Sequence, residues 1–461
     1  MSSQQPIRYK YFSREMTPPP PHLLSATEAA SQLRAGTLSS EELVAACLRR
    51  IREREPELCA FSFFAPEQLL AAARAADAER SAGNAIGPLH GIPVGIKDIF
   101  DTAGMPTENG SALHAGRVPS TDASVVARLR AAGALIAGKT VTTEFAFFGP
   151  GKTRNPHDPR RTPGGSSSGS AAAVAAHMLP LAIGSQTNGS TIRPAAFCGV
   201  LGFKPTRGMI SRAGMLRLSP TLDHVGCFAR SIDDLALLGE LLGGSDERDA
   251  GAWSGARAPL CEIAASDPPR PPRFAFIATP HWPRADSATH SAWAALRQRL
   301  GTQLEEVELP SSALDAWRCH QTIMEAEMAF QLDREWRTGA AQMTTVLRQQ
   351  IERGRQVSAF DYQAALARIK PLYSWFAKLL ERDYDAIATP ATLGAAPRGL
   401  ESTGDPAFCT PWTLCGMPAI SLPLLATPEQ LPLGVQLVAA RRADGPLLRT
   451  ARWLERTLAS E

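Results

Sequence analysis

The chain of 461 residues is 44% hydrophobic and 20% charged, the balance of an ordinary globular protein with room for several domains or one large core. Lys and Arg number 48 against 45 Asp and Glu, and a net charge of +3 gives no electrostatic case for nucleic acid or an anionic membrane as partner. The 8 cysteines show no CxxC and no metal-ligand rhythm with histidine, which points to buried free thiols in a reducing compartment.

Residues 1–20 lack the apolar run of a secretory signal and read as a loose tail, so the expected location is the cytoplasm. No later run is apolar and long enough to span a membrane. One domain is expected over 21–461. Ser25-x-x-Glu28 and Ser39-x-x-Glu42 have capping-box form, each ahead of an amphipathic run (28–35 and 40–54). These N-terminal helices offer a surface for a homodimer. A third helix is predicted over 65–83, closed by Gly83. Strand-like GIPVGIKD follows, then a glycine-punctuated loop, a helix over 122–133 and the buried strand ALIAGKT (134–140). This alternation predicts an α/β fold: a large mixed, mostly parallel twisted sheet covered by helices on both faces. Its core is expected over 85–240. A Gly-, Ala- and Pro-rich surface connection (243–273), a substrate-side helical region (310–382) and strands within 385–440 that rejoin the sheet complete the chain.

The run RTPGGSSSGSAAAVAAHMLPLAIGSQTNGSTIRPAAFCGV (161–200) joins two Ser/Gly clusters through an apolar segment. AAAVAA and MLPLAIG read as buried helix and buried strand, so the small residues are held in place where something approaches the backbone closely. Two pattern matches fail on physical grounds. Gly133 to Thr140 fits the phosphate-loop pattern GxxxxGK[ST], but a helix ends at Gly133 and the middle residues form the strand, the reverse of what such a loop needs. Gly165 to Gly169 fits GxSxG, but the upstream TRNPHDPRRTP, with three prolines, cannot be a buried strand, and the adjacent Asp223 and His224 would not orient each other as base and orienter.

An amide hydrolase needs a nucleophile, a base, a proton carrier to the leaving amine and donors for the oxyanion. Gly184 to Ser190 follows the strand MLPLAI and therefore lies at a strand's carboxyl end, where α/β sheets place their sites. There Ser190 can present its hydroxyl while the backbone N–H groups of Thr187, Asn188, Gly189 and Ser190 curl round an oxyanion. Lys97 sits in the apolar stretch GIPVGIKDIF, where a lysine is costly unless paired or used. Two readings stay open at this point. It pairs with Asp98 or Asp101, or burial lowers its pKa and makes it a general base.

Five segments resemble the amidase signature family in matching order: GIPVGIKDIFDTAGMPTENGS, GKTVTTEFA, TRNPHDPRRTPGGSSSGSAAAVAA, GSQTNGSTIRPAAFCGVLGFKPT and PLGVQLVAA. STIRPAAFCG and STGDPAFCTPWTLCGMPAI (402–420) look most like its small stand-alone malonamidase-like members. The resemblance implies that Ser190 is the nucleophile and Lys97 the ultimate base. Ser166, after a cis Gly165–Ser166 bond, is then the bridging serine, and the N–H groups of Thr187 to Ser190 form the oxyanion hole. It implies no metal and no organic cofactor. Three departures stand out: Asn188-Gly189 where many members carry Gly-Gly, Gln186 in place of an Asp, and an arginine three residues after the serine, at 193. Arg193 either braces the loop through backbone carbonyls or grips a substrate carboxylate; Trp412 either lines the substrate pocket or belongs to the core. The expected function is hydrolysis of a small-molecule amide to carboxylate and ammonia or amine. The alternative is the glutaminase component of a tRNA-dependent amidotransferase, which feeds ammonia to partner proteins; the lack of a basic tRNA-facing patch favours the first.

Overall fold

The structure, a computed structural model, describes residues 19–149 and 151–459. The tail expected over 1–20 lies, up to residue 18, outside the described residues. The first two helices, Ala26–Ala35 and Ser40–Leu58, start on complete capping boxes at Ser25/Glu28 and Ser39/Glu42, each satisfying two otherwise orphaned N–H groups. The third runs from Pro66 to Ser81, with proline in its first turn, where no helical N–H is lost.

The first strands are β1 (Phe61–Phe64), β2 (Pro93–Lys97), β3 (Leu135–Thr140), β4 (Leu181–Gln186), β5 (Leu201–Lys204) and β6 (His224–Ala229). The later ones are β7 (Phe274–Phe276), β8 (Leu304–Glu306), β9 (Ala386–Pro390), β10 (Ala419–Ala426) and β11 (Pro432–Val438). All join one sheet in the order β1-β3-β2-β4-β6-β5-β10-β11-β9-β7-β8, so the late strands do rejoin the first ones. Every residue of β2, β4, β6, β9 and β11 is buried, as in a sheet covered on both faces.

The expectation of a mostly parallel sheet needs correcting in its proportions. Parallel pairing is confined to β3-β2-β4 and to β9-β7-β8; β1-β3 and the centre, β4-β6-β5-β10-β11-β9, are antiparallel. The reason lies partly in the connections. Only five residues separate β10 from β11, enough for a hairpin but too few for a parallel crossover. The connection over 243–273 is not wholly irregular either. It holds the short helix Leu260–Ala265, packed on the helices Ile232–Leu242 and Asp444–Ala459.

The serine- and glycine-rich run explains itself through close approach. Helix Ser168–Ala175 is buried from Ser168 to Val174, and a Cβ on Gly169 would lie 2.1 Å from Ala60 O and 2.4 Å from Val141 N. No side chain fits there. The serines tie this helix to the sheet: Ser170 Oγ donates to Ile183 O at 2.9 Å and bonds Thr140 Oγ1 at 2.7 Å, while Ser167 Oγ donates to Ser185 O at 3.2 Å. The helix therefore carries the preceding Gly165-Ser166 segment to the carboxyl ends of β2 and β4.

Candidate active site

Strands β2 and β4 run parallel, with Ile96 opposite Ile183, which puts Lys97 level with Gly184 and within reach of Ser185. Lys97 is fully buried, and its Nζ lies 2.7 Å from Ser166 Oγ and 2.8 Å from Ser185 Oγ. Neither aspartate takes it as partner: Asp98 pairs with Lys139 at 3.4 Å and Asp101 with Arg117 at 2.7 Å. Burial drives the Lys97 pKa well below that of an ordinary lysine, opposed by the charge of Asp223. An amine surrounded by hydroxyls, its neutral form favoured by burial, is equipped to accept a proton.

Ser166 follows a cis Gly165–Ser166 peptide. The Gly165 carbonyl accepts from Arg193 Nη2 at 2.6 Å; the Ser166 carbonyl accepts from Ser168 Oγ at 3.3 Å and Thr143 N at 3.4 Å. Both sides of this bond are therefore held. Ser190 lies just past β4, 9% exposed, and among the described residues its hydroxyl has no hydrogen-bond partner. The structure thus brings Lys97 and Ser166 together, but forms no hydrogen bond between Ser166 and Ser190. Unliganded sites often leave such bonds open until substrate arrives.

Among the described residues, the N–H groups of Thr187, Asn188, Gly189 and Ser190 find no acceptor in the molecule. Their loop is nevertheless tethered. Gln186 Oε1 accepts from Thr191 N at 2.9 Å and Ile192 N at 3.0 Å, and its Nε2 donates to Thr413 Oγ1 at 2.9 Å. An Asp at this position could take the two N–H groups but could not donate to Thr413. The Thr187 hydroxyl donates to Asp223 at 2.7 Å, and the Asp223 carboxylate also accepts from Leu218 N and Ser219 N, both at 2.9 Å. His224 bonds Leu222 O through Nδ1 at 2.6 Å. The Ser167 hydroxyl, which a GxSxG elbow would use, bonds Ser185 O and Ser185 N and, among the described residues, neither Asp223 nor His224, in keeping with the rejected GxSxG reading.

Arg193 is buried on helix Ile192–Cys198 without a carboxylate partner. One nitrogen, Nη2, bonds Gly165 O and Thr403 Oγ1; Nε and Nη1 have no partner among the described residues. The guanidinium lies 5.2 Å over the Phe148 ring, and burial pulls its pKa down to about 10. The arginine therefore braces the loop and also holds two donors in reserve. Trp412 is 0% exposed on helix Thr410–Leu414, its ring edge-on to Phe376 at 4.9 Å and its indole N–H without a partner among the described residues.

Three residues of this site escaped the sequence reading: Ser185, Thr413 and His320, whose Nε2 lies 2.9 Å from Thr187 O. A polar residue inside the otherwise apolar LAIGS was a signal for Ser185. Nothing local marks the other two. Among the described residues no cluster of three His, Cys, Asp or Glu is arranged to hold a metal, and no helix is long and apolar enough to cross a membrane.

A buried lysine bonded to serine hydroxyls therefore stands at the carboxyl ends of β2 and β4 in a mixed sheet. Residues 42–448 match the Amidase family model, and the chain belongs to that family. It is 37% identical over 472 residues to a glutamyl-tRNA(Gln) amidotransferase subunit of Chloroflexus aurantiacus, covering 93% of this chain and 95% of that one. Among solved structures it resembles an amidase with a TM-score of 0.83 at 29% identity, covering 94% of this chain and 99% of the other. The native peptide amidase from Stenotrophomonas maltophilia aligns with a TM-score of 0.80 at 29% identity, over 95% and 97% of the two chains.

Proposed function

We propose that this protein hydrolyses a carboxylic amide to a carboxylate and ammonia or an amine through an acyl-enzyme on Ser190. The observation that carries the proposal is a fully buried Lys97 whose hydrogen bonds go to serine hydroxyls and to no carboxylate. In this reading neutral Lys97 takes the Ser166 proton while Ser166 takes that of Ser190, whose Oγ attacks the amide carbon. The tetrahedral oxyanion is received by the free N–H groups of Thr187 to Ser190. The proton returns through Ser166 to the leaving nitrogen, the C–N bond breaks, and the amine departs. Water then gives its proton along the same route and attacks the acyl carbon, releasing the carboxylate and regenerating Ser190.

The reserve donors of Arg193, Nε and Nη1, suit a substrate carboxylate through single charge-assisted hydrogen bonds, since either two-pronged face of the guanidinium would also need the occupied Nη2. The preferred substrate is then an amide that also bears a carboxylate. Kinship to amidotransferase subunits over nearly whole chains favours a second reading, in which the amide is glutamine and ammonia passes to partner subunits. Both readings use the same serines and lysine, and glutamine also carries a carboxylate.

Ammonia release from malonamate, glutamine, acetamide and benzamide, with aniline release from an anilide, decides between them. Turnover of malonamate or other amides by the chain alone, abolished in Ser190→Ala, is the result of a free-standing amidase. Glutamine turnover that rises when partner subunits are added marks the glutaminase. Activity that survives Ser190→Ala would sink the mechanism in both forms.

A further inference from the structure

The four N–H groups without acceptors lie in a chain segment in which the Thr187, Asn188 and Gly189 carbonyls each have a donor. A trans peptide points its C=O and the following N–H in opposite directions, so whatever fixes one fixes the other. The Thr187 carbonyl accepts from His320 Nε2 at 2.9 Å, which turns the Asn188 N–H away from the helix Ala316–Gln331 that carries His320. The Asn188 carbonyl accepts from Thr413 Oγ1 at 2.5 Å, which turns the Gly189 N–H away from the helix Thr410–Leu414. The Gly189 carbonyl accepts from Arg193 N at 2.9 Å, and the Ser190 N–H points the other way.

The donors are themselves constrained. A carbonyl oxygen can only accept, so His320 must carry its proton on Nε2. Burial lowers its pKa to about 4, and near neutral pH it is the uncharged tautomer with that one N–H. Thr413 has a single hydroxyl proton. Because Gln186 Nε2 donates to its oxygen, that proton is free to go to the Asn188 carbonyl, with a longer alternative at Cys409 O, 3.1 Å away. Free N–H groups in a buried loop are costly unless a ligand meets them, and the outward pull on each carbonyl stops the loop from flipping to satisfy them internally.

Building on the acyl-enzyme reading, we infer that His320 and Thr413 are positioning residues. They hold the Thr187 and Asn188 carbonyls outward so that the Asn188 and Gly189 N–H groups stay aimed at the substrate oxygen. Neither touches the substrate. Each acts through one peptide plane, and both come from the later half of the chain, which thereby sets the geometry of a loop more than a hundred residues upstream.

A fluorophosphonate probe tests this without a known substrate, because its phosphoryl oxygen occupies the oxyanion position while a serine is labelled. The measurements are the maximal labelling rate, the probe concentration at half-maximal rate, and the labelled residue by mass spectrometry. His320→Leu is expected to lower the maximal rate roughly ten- to a hundredfold with little change in half-saturation, since only the developing oxyanion feels the misaligned donors. His320→Gln, which keeps a donor near the same place, is expected to stay within about threefold of the parent. Thr413→Val and Thr413→Ser form a second such pair, and carry the test if the leucine variant does not fold by circular dichroism. Parent-like labelling of folded His320→Leu and Thr413→Val overturns the inference. So does an equal loss in each conservative partner. Labelling that persists in Ser190→Ala, or no labelling of Ser190 in the parent, instead overturns the nucleophile assignment on which the inference rests.

Discussion

Two buried lysines stand on neighbouring strands of this sheet and have opposite fates. Lys139 on β3 has three acceptors, Phe100 O at 2.7 Å, Thr107 Oγ1 at 2.6 Å and Asp98 Oδ1 at 3.4 Å, one for each N–H of an ammonium. Lys97 on β2 has two hydroxyls, which accept as readily as they donate. Burial pulls Lys139 down to about 8 despite its aspartate, and pulls Lys97 well down with a more distant charge in opposition. Equal burial therefore does not make equal chemistry. In the proposed mechanism the partners decide which lysine is a strut and which is a base.

The contrast breaks most visibly on substitution of each lysine by methionine. Lys97→Met is expected to reduce amide turnover by about ten-thousandfold or more, as loss of a member of a concerted catalytic set does, while stability in urea stays near that of the parent. Lys139→Met is expected to do the reverse. It leaves Asp98 buried beside an apolar chain and costs about 3–5 kcal/mol of stability, with the folded fraction retaining its base. Restoring apolar balance with Lys139→Met/Asp98→Leu should recover much of that loss. Urea titrations paired with initial rates check all three variants. If Lys97→Met unfolds the protein and Lys139→Met silences it, the assignment of strut and base is inverted.

A third buried cation sharpens the rule, because Arg193 is braced through Nη2 and idle at Nε and Nη1. In the proposed reading the brace serves every substrate, whereas the idle donors serve a carboxylate. Arg193→Ala is expected to reduce kcat/KM roughly ten- to a hundredfold more for malonamate or glutamine than for acetamide. An equal loss on acidic and neutral amides would leave the brace as its whole role.

Much of this was legible in the sequence, and the limits have physical causes. The capping boxes at Ser25 and Ser39 stand where their short-range pattern falls, while the strand read from MLPLAI runs three residues further, to Gln186, and the helix read from AAAVAA starts three residues earlier, at Ser168. Strands β1, β5 and β6 were not anticipated. FSFF and LGFK are too short to show a period, and HVGCFA is a short buried run without polar alternation, which pattern alone does not separate from a helix segment. The sheet's central antiparallel block was missed for the same reason, since β5 and β6 supply most of it. His320 and Thr413 were out of reach for another reason. Each bonds a backbone carbonyl 133 or 225 positions away, and no composition or spacing in one sequence marks a side chain whose partner is a distant peptide group.

The smallest expected effect concerns Asp223, whose charge opposes the lowering of the Lys97 pKa. Burial pushes Asp223 itself up to about 6, so above that pH it is ionised and favours protonated Lys97. The base works only when neutral, and kcat/KM should fall about tenfold per pH unit on the acid side of the Lys97 pKa. Asp223→Asn removes the opposing charge, lowers that pKa further, and is expected to move the acid limb toward lower pH by less than about one unit. An asparagine keeps an oxygen for the Thr187 hydroxyl but sets an amide N–H₂ against Leu218 N and Ser219 N, at about 1–3 kcal/mol of stability. That loss scales the amount of folded enzyme and leaves the position of the limb alone, so the pH profile reads the charge and the urea midpoint reads the hydrogen bonds. An unmoved limb would mean that the acid-side titration belongs to a group other than Lys97. The same measurement on Asp98→Asn should leave the limb in place, because that aspartate answers to Lys139.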